Sequence, residues 1–458
     1  MGLVGGVLAA AVVVGALSVG KPFYAIALVL AAGIVLLVAA RIEALPVFLI
    51  FTMFVESVSL GPGLRIGRLA AVMALAVLAY YVLSEGRIDL RPSPLLLAAG
   101  AYGFWIIVSV YWADDSGVVF HTTFQYLLAV SYMLTFAVLV RSRRQLKAIF
   151  ATLAVGSLVF GVVSFVAYVG SSHTYLTEGL GASGLQGDHV YFAIYQVISL
   201  PAALALAALE RRPERRALYF GVVGIIVLSV VASLSRTGLL VLGVVVLATL
   251  LLPSRVFFQH PRQKLSFTMA LLAAAVVAAL AGSAAFVARA QTILNFGGPN
   301  GDRGSGRIDL WNAALHGWHD HPWLGLGAGN FQTKALDLLQ TTPGVNTTAQ
   351  YVQAGRVVHN AYLEALTELG VVGLVLFLAV IVLTFWSLLR SWRGARAARD
   401  RTLECVTVAL VVSLLGFCVS MIFASNELGK PLWIFIGLAL ALEVISRRPE
   451  PPAPAVAP

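Results

Sequence analysis

His359 and Asn360 stand where an apolar helical pattern begins. An imidazole beside a helix N-terminus feels the positive end of the backbone dipole, which disfavours its protonated form. Such a ring is available near neutral pH to take a proton from a sugar hydroxyl. A capping-region histidine that only hydrogen-bonds at a bilayer surface would occupy the same place. Tyr362, Leu363 and Leu366 share the helical face of His359, while Glu364 and Glu368 line another, as orienting groups rather than catalytic ones.

Two arginines could supply the matching cationic chemistry. Arg307 precedes Trp311 by four residues, so its guanidinium can project from the face of the indole. Ile308, Trp311, Leu315 and Trp318 recur at helical spacing and Pro322 forces an end, which predicts a helix from about Ser305 lying against the membrane surface. Arg236, in SLSRTG, falls where two apolar runs meet, and a cation there is costly without an anionic partner. Snorkelling to the interface is the rival reading for both arginines. Arg65 and Arg68, in GPGLRIGR, are placed to meet a lipid phosphate or are exposed by a short loop.

The turn GLGAGN, with Gly325 and Gly327, offers backbone amides suited to a diphosphate or a sugar, although glycine-rich turns also simply turn. His316, His319 and His321 form an HxxHxH cluster that invites zinc. No Cys accompanies them, no HExxH follows, and Pro322 pulls His321 off the shared face, so interfacial hydrogen bonding is the default and no metal is assigned. Asp114 and Asp115 read as a solvated turn, since neighbours seldom face one another. His173, Asp188 and His189 fall on the same side of the membrane as these groups.

The elements that must position these residues are membrane spans. Of 458 residues, 59% are hydrophobic and 11% charged, which excludes a water-soluble enzyme. The apolar runs are unbroken rather than alternating, which disfavours a closed barrel. They begin near Gly2, Pro22, Ala44, Leu69, Leu95, Thr122, Ala148, Val190, Ala217, Thr237, Phe267, Leu369, Leu403 and Pro431. The expected fold is an all-α polytopic integral membrane protein with about 12–14 transmembrane helices and one large external loop containing short helices. Residues 1–288 are predicted to hold about eleven N-terminal spans, 289–360 the external loop with the chemical motifs, 361–446 the C-terminal spans, and 447–458 a disordered Pro-rich tail. No basic region precedes the first run, which argues against a cleaved signal peptide. Cys405 and Cys418 lie in one apolar stretch and suggest neither a disulfide framework nor a thiolate metal site.

Roughly two thirds of the 31 Lys and Arg fall in alternate connections, such as RSRRQLK and ERRPERR, if both termini are cytoplasmic. The net charge of +10 is therefore a topology signal and not a nucleic-acid footprint. No repeat period and no mirrored halves are present, which weakens a transporter reading; a lipid-linked glycan flippase remains the alternative, and it would show charges within spans and internal repeats.

The order SRTG at Ser235, GRxxxW at Gly306, HPWLGLGAGNF at His321 and HNAYLEALTELGVVGL at His359 resembles the O-antigen ligase and O-antigen polymerase superfamily. The motifs cover about 236–374, and the span count and external loop extend the similarity along most of the chain. The resemblance implies an architecture like that of GT-C type glycosyltransferases. It also implies a multi-pass enzyme of a bacterial inner membrane that moves a glycan from a polyprenyl (undecaprenyl) diphosphate carrier to a sugar hydroxyl on the periplasmic face. No cofactor or metal is required, and the anomeric centre is inverted. The acceptor would be a lipid A core for a ligase, in lipopolysaccharide biosynthesis, or another carrier-linked repeat for a polymerase. By the same resemblance Arg236 and Arg307 bind diphosphate and His359 is the general base. Trp311, His321, Gly325, Gly327, Asn360 and Tyr362 are the accompanying substrate-binding candidates. Where family members often carry an Arg shortly before D-P-N, this chain has Gly181 near the Arg position and His189 and Val190 after Asp188, so a third diphosphate contact would fall to Arg65, Arg68 or His189.

Overall fold

A computed structural model describes residues 41–55, 59–61, 64–85, 92–170, 188–233, 235–281, 306–345 and 352–447. The expected first two runs, His173, Gly181 and the Pro-rich tail lie outside them. The α-helices are α1 (Leu45–Thr52), α2 (Ile66–Glu85), α3 (Pro94–Val108), α4 (Ser116–Leu139), α5 (Arg143–Gly170), α6 (His189–Leu209) and α7 (Pro213–Ala232). They continue with α8 (Arg236–Leu251), α9 (Pro261–Ala281), α10 (Arg307–Asp320), α11 (Asn330–Thr341), α12 (Ala361–Ala397), α13 (Arg401–Ser420) and α14 (Lys430–Ile445). A two-stranded antiparallel hairpin, β1 (Ser59–Gly61) with β2 (Leu64–Arg65), pairs Ser59 with Arg65 and precedes α2.

Among the described residues, 8 helices are long and apolar enough to cross a membrane: α2 to α7, α12 and α13. Each coincides with a predicted run, so the architecture is that of an all-α polytopic membrane protein. The predicted run beginning near Ala44 is helical only over Leu45–Thr52, because the chain turns into the hairpin.

Polar residues set the helix starts. Ser93, Asp115, Asp188, Ser235, Asn360 and Asp400 each accept a backbone N–H from the first turn of α3, α4, α6, α8, α12 and α13. Three of those caps stand next to His189, Arg236 and His359, so these three candidates are delivered at helix N-termini.

The core is organised around α6, whose residues from Phe192 to Ala208 are all buried. It packs on α5, α7, α8 and α13. Gln196 Nε2 donates to the Ser157 carbonyl of α5 at 3.2 Å, and Ser413 Oγ of α13 donates to the Ile198 carbonyl at 2.6 Å. Hydrogen bonds between helices hold in an apolar medium because separation would leave polar groups without partners. Gly238 of α8 lies against Ala193, where a side chain would collide, which brings the N-termini of α6 and α8 together.

Charged residues stand at both ends of the bundle. At one, Arg143 pairs with Asp400 at 2.6 Å, Arg401 donates to the Val256 carbonyl at 3.1 Å and Lys264 to the Leu252 carbonyl at 2.9 Å. The starts of α6 and α8 lie at the opposite end, as does the junction where Ala361 N–H of α12 donates to the Met421 carbonyl after α13. The candidate chemistry gathers at this opposite end.

Candidate functional site

The site is built on a broken helix. Gly370 in α12 has φ +68 and ψ −171, far from helical geometry. A left-handed φ suits glycine, and a Cβ here would collide with the Trp323 backbone. The break releases backbone groups that an apolar medium would leave without partners, and each released group that matters is paired by a neighbouring segment. Leu326 N–H donates to the Thr367 carbonyl at 2.9 Å, Gly327 N–H to the Glu368 carbonyl at 2.8 Å, and Val371 N–H to the Pro322 carbonyl at 2.9 Å. Trp105 Nε1 of α3 donates to the Leu369 carbonyl at 2.9 Å.

The glycine-rich turn is therefore a brace for this break, which corrects the expectation that its amides cradle a substrate. Gly325 N–H donates to the His321 carbonyl, Ala328 N–H to Ser109 Oγ, and Asn330 N–H to the Gly327 carbonyl. Gly329 and Phe331 N–H donate to the two carboxyl oxygens of Glu368, at 2.6 and 3.3 Å. Every backbone amide from Gly325 to Phe331 thus has an acceptor within the protein. Gly325 and Gly327 are needed for positive φ and close approach: a Cβ would meet the Glu368 backbone at the first and Ala113 at the second. The adjoining α11 docks on the turn before α4 through Asn330 Oδ1, which accepts Asp115 N–H at 2.9 Å, and through the Lys334–Asp114 ion pair. Asp114 and Asp115 are thus fold contacts, Asp115 also capping α4.

The predicted helix after Ser305 is α10, and it ends at Asp320 before Pro322 as expected. Its buried face is Asp309, Leu310, Ala313, Ala314 and Gly317, set against Leu326, Phe331, Leu338 and Leu339, while Ile308, Trp311, Leu315 and Trp318 stay half-buried or exposed. Small residues are buried because α11 approaches closely, which leaves the large apolar stripe half exposed for a membrane surface. Trp311 leans on Phe423 with ring centroids 6.3 Å apart, and its Nε1 is buried with no hydrogen-bond partner among the described residues. His319 and His321 are exposed and His316 is half-buried. Among the described residues no group of three metal-ligating side chains is formed.

His359 sits just before the Asn360 cap in the left-handed region, φ +57, a conformation that costs a non-glycine residue on the order of 1 kcal/mol. Its N–H donates to Ser425 Oγ at 3.0 Å in the turn between α13 and α14. Asn360 Oδ1 accepts from Tyr362 and Leu363 N–H, and the Tyr362 hydroxyl donates to the Cys418 carbonyl at 2.8 Å. The side-chain groups of Asn360 and Tyr362 expected to meet substrate are thus used to hold the start of α12.

The imidazole is brought into the field of charges from three separate segments. Burial lowers its pKa most, and the guanidinium groups of Arg307 and Arg356 lower it further, to about 4. Asp188, the cap of α6, acts in the opposite sense and anchors His189 beside it. Arg236 is half-buried at the first position of α8, on the helix end that Gly238 seats against α6. The structure thus assembles Asp188, Arg307, Arg356 and His359 in one electrostatic neighbourhood. Asp188 and Arg356 had been given no role from sequence, and Ser425 had not been noted at all. Asp188 carried a usable signal, since Asp directly before an apolar run is a capping pattern; Ser425 carried none.

Burial lifts the Glu427 carboxyl, in the turn before α14, to about 7. Glu364, Glu368 and Glu427 all lie within electrostatic reach of Tyr102, beneath the site. Arg65 and Arg68 line a different cavity, between α2, α4 and α14.

No curated protein matches the chain. Residues 221–378, the stretch that holds Arg236, Arg307, the glycine brace, His359 and the Gly370 break, match the family model for O-antigen ligase, which supports a relationship to the O-antigen ligase and polymerase superfamily.

Proposed function

We propose that the protein transfers a glycan from a polyprenyl diphosphate carrier to a sugar hydroxyl of an acceptor glycan, at the outer face of a bacterial inner membrane with both termini in the cytoplasm. The observation that carries this reading is the environment of His359: half-buried, kept neutral by partial burial and by the fields of Arg307 and Arg356, and fixed before a helix N-terminus. A neutral imidazole can accept a proton, and arginines that repel its charged form are the groups a diphosphate would bind.

The reaction needs little else. The acceptor oxygen attacks the anomeric carbon, the bond from that carbon to the carrier diphosphate breaks, and the hydroxyl proton passes to His359. The carrier departs with its diphosphate held by Arg307 and Arg236, with His189 as the third contact where the family arginine is replaced by Gly181. A single displacement inverts the anomeric configuration. Diphosphate is already an activated leaving group, so positioned cations and one base supply the catalysis without a nucleotide sugar or a metal. A bound diphosphate would also offset the field of Arg307, so the imidazole becomes a stronger base once the donor is in place. The lipid tail of the donor is the reason for a membrane-embedded fold.

The reading is tested by incubating purified protein with a carrier-linked repeat, with and without a lipopolysaccharide core acceptor. Folded His359→Ala and Arg307→Ala variants are expected to form no product; full activity in either ends the proposal. The acceptor that is consumed distinguishes ligase from polymerase.

A further inference from the structure

A second cationic cavity, of about 250 Å³, opens between α2, α4 and the start of α14. Arg65, Arg68, Gln125 and Lys430 line it, with Ala71 and Leu128 in its apolar wall. Among the described residues no Asp or Glu lines it, and neither do Arg236, Arg307 and His359. Arg65 closes the hairpin and Arg68 stands in the first turn of α2, and both are exposed. Lys430 opens α14, and its ammonium lies 5.6 Å from the centre of the Tyr132 ring. The cavity thus joins three cations and an amide donor, a set matched to the oxygens of a phosphoryl group.

Its position adds a second requirement. Gln125 is nine residues into α4, about 13 Å below that helix's start at 1.5 Å per residue. The helix surfaces beside it are apolar and exposed: Leu69, Val72 and Leu75 on α2, Phe124 and Leu127 on α4. Cations beside a deeper amide donor and flanked by exposed apolar side chains fit a ligand with an anionic head and hydrocarbon chains better than a soluble anion.

We propose that this cavity binds the phosphoryl headgroup of a membrane lipid, at a site separate from the His359 centre. The assignment does not depend on the transfer reaction proposed above. It replaces the expectation that Arg65 and Arg68 complete the diphosphate site around His359.

Native mass spectrometry of the full-length protein, with dioleoyl phosphatidic acid as probe, tests it. The unmodified protein is expected to retain phosphatidic acid in preference to dioleoyl phosphatidylcholine. The Arg65→Gln/Arg68→Gln variant, and separately Lys430→Gln, are expected to bind phosphatidic acid roughly tenfold more weakly, as loss of charge-assisted hydrogen bonds requires. Thermal unfolding identifies which variants are folded, and the single lysine variant serves if the double one is not. Folded variants that keep their phosphatidic acid affinity overturn the proposal. Equal retention of the two lipids overturns it in favour of an apolar groove, and displacement by inorganic phosphate at equal concentration overturns it in favour of a free-anion site.

Discussion

Glu368 holds the start of the helix that follows Gly329, although it lies thirty-nine residues further along the chain: its two carboxyl oxygens accept the N–H groups of Gly329 and Phe331. A carboxyl group at a helix N-terminus satisfies donors that the helix itself cannot. It does so here from α12, the helix that begins at Ala361 just after His359, so the brace and the base are positioned by one element.

Glu368→Ala leaves both amide groups without their acceptor and is expected to destabilise the protein by roughly 1–3 kcal/mol per buried group left unpaired. Glu368→Gln keeps one acceptor and should be milder. Thermal unfolding in detergent measures both, and equal stability of the alanine variant and the parent would remove the capping role.

Gly370→Ala forces a Cβ onto the Trp323 backbone at a positive φ, whereas Gly344→Ala has the same backbone problem with open space around it. Strain alone is worth roughly 1–3 kcal/mol. The Gly370 variant is therefore expected to lose more stability than the Gly344 variant, and transfer activity with it. Comparable unfolding temperatures for the two would contradict the close packing at the break.

The pKa of His359 is lowered on folding from the ordinary value of about 6.5 to about 4. Between those values the unfolded chain binds more protons than the folded one, so the contribution of this residue to stability is present above pH 6.5 and is lost as the pH falls toward 4. In catalysis, kcat/KM reports the free enzyme, so its acid limb is expected well below pH 6. The acid limb of kcat, which reports the donor-bound state, should lie higher because the diphosphate offsets the Arg307 field. Arg356→Gln should move the kcat/KM limb upward. A limb at pH 6.5 in the unmodified protein, unmoved by that substitution, would separate His359 from the arginines.

Ser425→Ala removes the acceptor of the His359 N–H. A lost hydrogen bond of this kind costs roughly 0.5–1.5 kcal/mol. The ring is then less well placed, and kcat is expected to fall more than KM rises. A change confined to KM would assign Ser425 to binding instead of positioning.

The helical architecture was readable because twenty-residue apolar runs have few alternatives. The helix-start positions of Arg236, Arg307 and His359 were readable because each belongs to a short ordered motif next to a capping residue or an apolar helical run. The glycine turn left two readings open, a substrate cradle and a plain turn, for a physical reason. Its sequence reveals freed amides but not their acceptors, and those lie in Thr367 and Glu368 and in Ser109, on segments far away in the chain. The face of α10 that packs on α11 was not legible, because it is built of small residues while the periodicity is carried by the large ones. The charges around His359 arrive from Asp188, Arg307 and Arg356, and no local pattern could have joined them.

The left-handed backbone at His359 also dictates how its role is best dissected. His359→Gly relaxes the φ that His359→Ala would leave strained, and it vacates the space of the ring without adding a methyl group. Imidazole supplied in solution could then enter that space and restore turnover, so chemical complementation of the glycine variant, and its dependence on the basicity of the added amine, would read proton transfer directly.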